Sequence, residues 1–219
     1  MTLVLDLNDD LCRAIYLFGT HEPDTTAFLH RRLGDPHLHV VYDVGANIGS
    51  YAIAAAAMLQ NRGYVEAFEP VPWIFEQLKK NCSVNNLTNL RIHRIAVGRE
   101  NGMTTLFLPH GLGAWSANAT MYPELAKTFN ALFALPGTPI DTLSVPCKNL
   151  DSLIERRALR PPDLVRNPRG RWWFPYLVVF VFPDGPANAN QIYAGIIVPQ
   201  LENNHCEPWP RSAPGKCVR

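Results

Sequence analysis

The sequence predicts an α/β fold, a doubly wound, Rossmann-like sandwich around a mainly parallel sheet. Three observations predict it. Strand-like and helix-like patterns alternate from His39 to Val97. A glycine turn, Gly45 to Gly49, joins the first strand to its helix. An acid, Glu69, follows the second strand. Strands and helices in that rhythm bury both faces of a parallel sheet, and short right-handed crossovers make a doubly wound order the economical topology.

Residues 1–38 read as a helical lead-in, with short helices over Leu11–Phe18 and Asp24–Leu33, the second capped by Asp24 or Thr25. A core over residues 39–165 follows. Its first strand covers residues 39–44, and an Ala-rich helix, Tyr51–Gln60, is slim enough to pack close on a sheet. Tyr64–Phe68 is the second strand. Pro72 starts a second helix whose Ile74, Phe75, Leu78 and Cys82 share one apolar face. Asn85, Asn86 and Asn89 mark a turn, and Leu90–Val97 reads as a third strand. Further on, Met103–Leu108 predicts a strand in a hairpin-like excursion, Pro123–Phe133 a helix and Thr142–Cys147 another strand. Asn149 or Asp151 caps a helix through Leu150, Leu153, Ile154 and Leu159, ended by Pro161-Pro162. Asp163-Leu164-Val165 begins the next core strand.

The first turn carries the functional signal. Tyr42-Asp43-Val44-Gly45-Ala46-Asn47-Ile48-Gly49 has the form D-x-G-x-N-x-G, and Glu69 lies about twenty residues beyond it. Glycines let the backbone approach a ligand and adopt positive φ. A carboxylate at Glu69 can accept from both hydroxyls of a ribose. A dinucleotide site has G-x-G-x-x-G and takes a pyrophosphate at the helix N-terminus. Here Asp43 stands two residues before the first glycine and would repel that anion. A cofactor with a cationic sulfonium and an amino-acid end suits the turn better, so S-adenosyl-L-methionine is expected over NAD. Ligands of such sheets bind outside the carboxyl ends of the strands, which brings Asp43, Glu69 and Ala96 to one crevice.

Several stretches between residues 16 and 165 resemble the FkbM family of S-adenosylmethionine-dependent methyltransferases. They are Leu17-Phe18-Gly19-Thr20-His21-Glu22-Pro23, Val41 to Tyr51, Ala67-Phe68-Glu69-Pro70, the Leu78, Asn81 and Asn85 run, Ile95-Ala96-Val97-Gly98, and Asn149-Leu150-Asp151-Ser152-Leu153. The resemblance implies a class I methyltransferase three-layer sandwich that methylates a hydroxyl, often on a sugar or polyketide-type metabolite. It also implies that Asp43, Gly45, Asn47 and Gly49 line the methionine end, Glu69 holds the ribose, and Pro70 and Ala96 border the adenine. A small hydroxylated acceptor is the implied partner; no catalytic base is identified.

The resemblance stops after Val165. Family members look as though they continue Lys-Ile-Asp-x-Glu-Gly, whereas this chain has Arg166-Asn167-Pro168-Arg169-Gly170-Arg171-Trp172-Trp173. Ten of the nineteen prolines lie from Pro161 onward, so residues 166–219 read as an irregular, Pro-rich tail. Its strand candidates are Tyr176–Phe182 and Tyr193–Val198. Either the coding frame or splice pattern departs from the family here, or the tail has diverged and Tyr176–Phe182 supplies a replacement strand. A binding protein without transferase activity is the corresponding functional alternative.

Bulk properties narrow the rest. The 219 residues are 47% apolar and 18% charged with net charge +1, which suits one globular domain and gives no electrostatic case for nucleic acid. The five cysteines are scattered without C-x-x-C spacing and read as free thiols in a reducing compartment. Neither a signal peptide nor a membrane span is expected, so the cytoplasm is the default location. His37 and His39 form an H-x-H pair without a third ligand nearby, so no metal is expected. His110, Trp115 and Ser116 lie where an acceptor could dock, and Trp172-Trp173 beside Arg169 and Arg171 could form a stacking surface. An ordinary solvated loop histidine is the favoured reading of the first, and a disordered or badly packed tail with exposed aromatics that of the second.

Overall fold

The computed structural model of the chain describes residues 1–109, 119–133, 138–166 and 180–181. In chain order these form α1 Asp10–Phe18, α2 Pro23–Leu33, β1 Val40–Val44, α3 Ser50–Leu59, β2 Tyr64–Phe68, α4 Pro72–Asn85 and β3 Leu90–His93. Then come β4 Ala96–Val97, β5 Gly102–Pro109, α5 Pro123–Phe133, β6 Ile140–Lys148, α6 Leu150–Glu155, β7 Leu164–Arg166 and β8 Phe180–Val181.

The larger sheet has the order β3-β2-β1-β7-β8, with the first four strands parallel and β8 antiparallel to β7. Side chains alternate across a strand, and the alternation sorts this sheet into two faces. Val41, Val65, Ala67 and Leu164 pack on one face with Ala52, Ala55, Ala56 and Leu59 of α3, Leu33 of α2 and Leu78 of α4. Val40, Tyr42, Phe68 and Val165 pack on the other with Leu150 and Leu159. Each fully buried Leu or Val side chain contributes about 1.5–3 kcal/mol, so both faces are needed. The three-layer sandwich follows from that pattern. The start of β1 is also fixed by the segment that leads into β7: Asp163 Oδ2 accepts from the N–H groups of His39 and Val40, each at 2.8 Å.

The smaller sheet has the order β4-β6-β5, with β5 and β6 paired antiparallel along their length. It buries Ala96, Leu106, Val145 and Cys147 against Val71 and Ile74 at the start of α4. The expected hairpin-like excursion is this β5–β6 pair, with α5 in its connection.

Three expectations need correction. The run 90–97 is two strands in two sheets. β3 ends where the Glu69 N–H donates to the His93 carbonyl (3.0 Å), and the chain then crosses to pair with β6. The helix expected to reach Leu159 ends at Glu155, because Arg157 adopts φ 56 and the N–H groups of Ala158 and Leu159 turn back to the Leu153 carbonyl. Leu159 still reaches the core. At α2 the N-cap is Glu22 rather than Asp24 or Thr25, because Pro23 with its fixed φ already occupies the first turn.

In the tail, β8 falls within the Tyr176–Phe182 candidate. Tyr193–Val198, His110, Trp115, Ser116, Arg169, Arg171, Trp172 and Trp173 lie outside the described residues. Among the described residues no helix is long and apolar enough to cross a membrane.

Candidate functional site

The chain turns sharply at the carboxyl end of β1. Gly45, Asn47 and Gly49 have φ of 70, 52 and 90, all left-handed. At Gly49 both angle and space demand glycine, since a Cβ there would lie 2.5 Å from Leu78 Cδ1. Asn47 tolerates the conformation because its side-chain oxygen accepts the N–H of Ile48 at 2.7 Å. The N–H groups of Gly45 and Ala46 both donate to the Phe68 carbonyl, at 2.7 and 2.9 Å, which ties the turn to the end of β2. From behind, the buried Asn81 of α4 donates to the Ile48 carbonyl (2.8 Å) and accepts from the Val4 N–H (2.7 Å).

Two carboxylates flank this corner on the same side of the sheet. Asp43 follows Val41 by two residues and Glu69 follows Ala67 by two, and both Val41 and Ala67 face α3. Glu69 is 4% exposed. Its Oε2 accepts the Asn47 N–H and its Oε1 the Val71 N–H, each at 2.9 Å, so it bridges the glycine turn to the chain entering α4. Burial pushes its carboxyl up from an ordinary 4.5 to about 7. Those two N–H donors pull it down, and the charge of Asp43 pushes it up further.

Asp43 is held differently. Register pairs it with Arg166 of β7, and Arg166 follows Leu164 by two residues, so both side chains face α3. Arg166 Nη1 donates to Asp43 Oδ1 at 2.7 Å, and the guanidinium lies 3.8 Å over the Tyr51 ring. Arg166 Nη2 stands 4.0 Å from Glu22 Oε2, which accepts the Tyr51 hydroxyl at 3.0 Å. Burial and the Glu22 charge push the Tyr51 phenol up, so it remains a donor. Among the described residues, two atoms of this cluster are buried without a hydrogen-bond partner: Asp43 Oδ2 and Arg166 Nε.

Comparison with known proteins places this architecture. Residues 43–166, more than half of the chain, match the family described as the methyltransferase FkbM domain. The chain belongs to this family.

Among curated relatives, a methyltransferase FkbM of Streptomyces tacrolimicus, named for 31-O-demethyl-FK506, is 28% identical over 130 residues, 58% of this chain and 49% of that protein. Methyltransferase 1 of Beauveria bassiana is 29% identical over 85 residues, 38% of this chain and 32% of that protein. The chain thus spans about a third to a half of the length of these relatives. A solved S-adenosylmethionine-dependent methyltransferase of Aquifex aeolicus superposes at 20% identity with a TM-score of 0.28, covering 39% of this chain and 44% of that one. The assignment rests on the family match and not on that overlap.

S-adenosylmethionine, the family's methyl donor, is accordingly the cofactor of this FkbM domain, and the corner has the chemistry to take it. Each oxygen of Glu69 accepts one backbone N–H and retains capacity for a second donor, such as a ribose hydroxyl. Asp43 Oδ2 is a buried acceptor in need of a donor.

The expected residues are not all in one place. Asp43, Gly45, Asn47, Gly49 and Glu69 converge on the corner, and Pro70 follows Glu69 directly. Ala96 lies in the smaller sheet, packed in the cluster that holds Val71. His39 Nδ1 donates to the Arg62 carbonyl at 2.7 Å. Among the described residues no three His, Cys, Asp or Glu side chains are grouped to hold a metal. Cys12, Cys82 and Cys147 are free thiols, and burial pushes all three upward, so they are poor nucleophiles.

Sequence reasoning missed Arg166, Tyr51 and Glu22 as parts of the site. In sequence Arg166 looks like the first residue of a divergent tail, yet it ends a core strand and falls inside the family match. Its position two residues after Leu164 was the available signal, since that alternation alone places it on the inner face.

Proposed function

We propose that this FkbM domain binds S-adenosylmethionine at the Gly45–Gly49 corner and transfers its methyl group to a hydroxyl of a small metabolite or sugar. The observation that carries the reading is the shared face of Asp43 and Glu69 across the left-handed turn Gly45–Gly49. In this reading Glu69 takes the ribose hydroxyls and Asp43, Gly45, Asn47 and Gly49 line the amino-acid end, with Pro70 and Ala96 toward the base. The binding unit is the core from residue 39 to Arg166, roofed by the lead-in through Glu22. Oxygen as the acceptor atom is supported by the name of the Streptomyces relative, which specifies an O-demethyl substrate for that protein.

The sulfonium supplies an activated methyl group. The protein's task is then orientation, which in favourable cases lowers a barrier by ~7–11 kcal/mol. Calorimetric titration of the full chain with S-adenosylhomocysteine, with NAD as control, tests the first half of the reading. Saturable binding of the first ligand and none of the second is expected. Binding of NAD in preference would overturn it. Transfer of a labelled methyl group to a pool of hydroxylated acceptors tests the second half.

One observation favours a second reading, binding without transfer. After Val165 the chain lacks the acids of the family's Asp-x-Glu-Gly segment, having Asn167 and Pro168 next to Arg166. Tight binding of S-adenosylhomocysteine with no labelled product in any acceptor pool would select it.

A further inference from the structure

We propose that Arg166 is the residue that recognises the carboxylate of the cofactor's amino-acid head, working as a pair with Asp43, which takes the ammonium. This rests on the cofactor reading above and goes beyond it by assigning a second charged partner.

The case starts from two unsatisfied atoms. Leaving a buried donor or acceptor unpaired costs about 1–3 kcal/mol, so each such atom calls for an explanation. Here there are two, on directly paired residues of β1 and β7: an acceptor, Asp43 Oδ2, and a donor, Arg166 Nε. Their side chains are 2% and 9% exposed and are joined through their other ends by the Nη1–Oδ1 bond at 2.7 Å. One orphan acceptor beside one orphan donor is the complement of an α-amino acid zwitterion. An ammonium satisfies the first and a carboxylate the second. The guanidinium is suited to this role, since its planar donors match a carboxylate and it is always charged.

Charge supports the same assignment. With Glu22 at 4.0 Å, the cluster holds two carboxylates and one guanidinium, a formal excess of one negative charge. S-adenosylmethionine carries two positive groups and one negative, so it balances the cluster, whereas a nucleotide phosphate would add to its excess. The position is also pre-set. Stacking at 3.8 Å over Tyr51 and pairing with Asp43 hold the guanidinium in place, so little side-chain entropy is lost on binding. Glu22 stands beyond hydrogen-bond reach of Arg166 and is held instead by the Tyr51 hydroxyl, so Arg166 is not fully claimed by its neighbours.

The test needs first no variant at all. The full chain is titrated with S-adenosylhomocysteine, its decarboxylated analogue and 5′-methylthioadenosine, which lacks the whole amino-acid head. The inference expects the decarboxylated analogue to bind at least tenfold more weakly than S-adenosylhomocysteine. The Arg166→Lys chain, which keeps the charge but loses the planar fork, should reduce that ratio severalfold while leaving the affinity for 5′-methylthioadenosine unchanged. Equal affinity of the wild-type chain for S-adenosylhomocysteine and its decarboxylated analogue overturns the inference and leaves the nucleoside site standing. Failure of all three ligands to bind overturns the cofactor reading and this inference with it.

Discussion

The two ends of the glycine corner hold their carboxylates by different physics. On the β2 side Glu69 pairs with no cation among the described residues; it is kept by two backbone N–H groups and the dipoles they carry. On the β1 side Asp43 faces the guanidinium of Arg166, which stacks on Tyr51 and stands 4.0 Å from Glu22. An acid held by backbone donors in a buried place titrates near neutrality, and its charge is available to be adjusted. Removal of an acid paired with a buried cation strands that cation. The difference teaches that one end is tunable by pH and the other by mutation.

The largest expected effect is at Asp43. Asp43→Ala leaves the buried Arg166 without its partner and should cost about 3–5 kcal/mol of unfolding free energy, read from urea titration. A cost near zero would mean that solvent already reaches the guanidinium and that the contrast between the ends is false. Next comes the pH response of Glu69. Its folded carboxyl sits above its unfolded value, so the folded chain holds the extra proton between them. Its stabilising contribution is full below about pH 4.5 and is lost as pH rises through about 7. The loss is on the order of 3 kcal/mol, and Glu69→Gln should flatten that part of the stability–pH curve. A curve unchanged by the substitution would place the titration elsewhere.

Between the two ends, Gly49→Ala should destabilise by about 2 kcal/mol, because positive φ and the contact with Leu78 both oppose a Cβ. Thermal melts read this, and a neutral result would show that α4 can move away. The smallest effect is expected behind the corner. Asn81→Ala removes bonds to the Ile48 carbonyl and the Val4 N–H and should cost about 1–2 kcal/mol. Faster hydrogen exchange at Val4 than at the β1 amides would mark the loss.

Much of this fold is legible in the sequence. Val40–Val44, Tyr64–Phe68, Pro72 as a helix start and Pro123–Phe133 follow from apolar runs and local stop signals, which need no tertiary information. The corner was legible for the same reason, since positive φ at Gly45 and Gly49 is a local demand. What failed was non-local. Residues 90–97 are uniformly strand-like, and only the position of β6 decides that Ala96 joins another sheet. Arg166 was hidden because its meaning depends on a register partner 123 residues away, and a polar residue at the end of a short apolar run looks like the start of a loop. Glu22 stood within a matched stretch, but only the packing of α2 against α3 shows that it reaches Tyr51.

In the proposed reading Glu69, as a carboxylate, grips the sugar of the bound nucleoside. Affinity for S-adenosylhomocysteine, measured at about pH 6 and about pH 8 on the wild-type chain and on Glu69→Gln, tests it most directly. Tighter binding by the wild type is expected at the higher pH, as Glu69 ionises through about 7, and weak, pH-independent binding by the variant. Equal affinities for the two proteins at both pH values would contradict it.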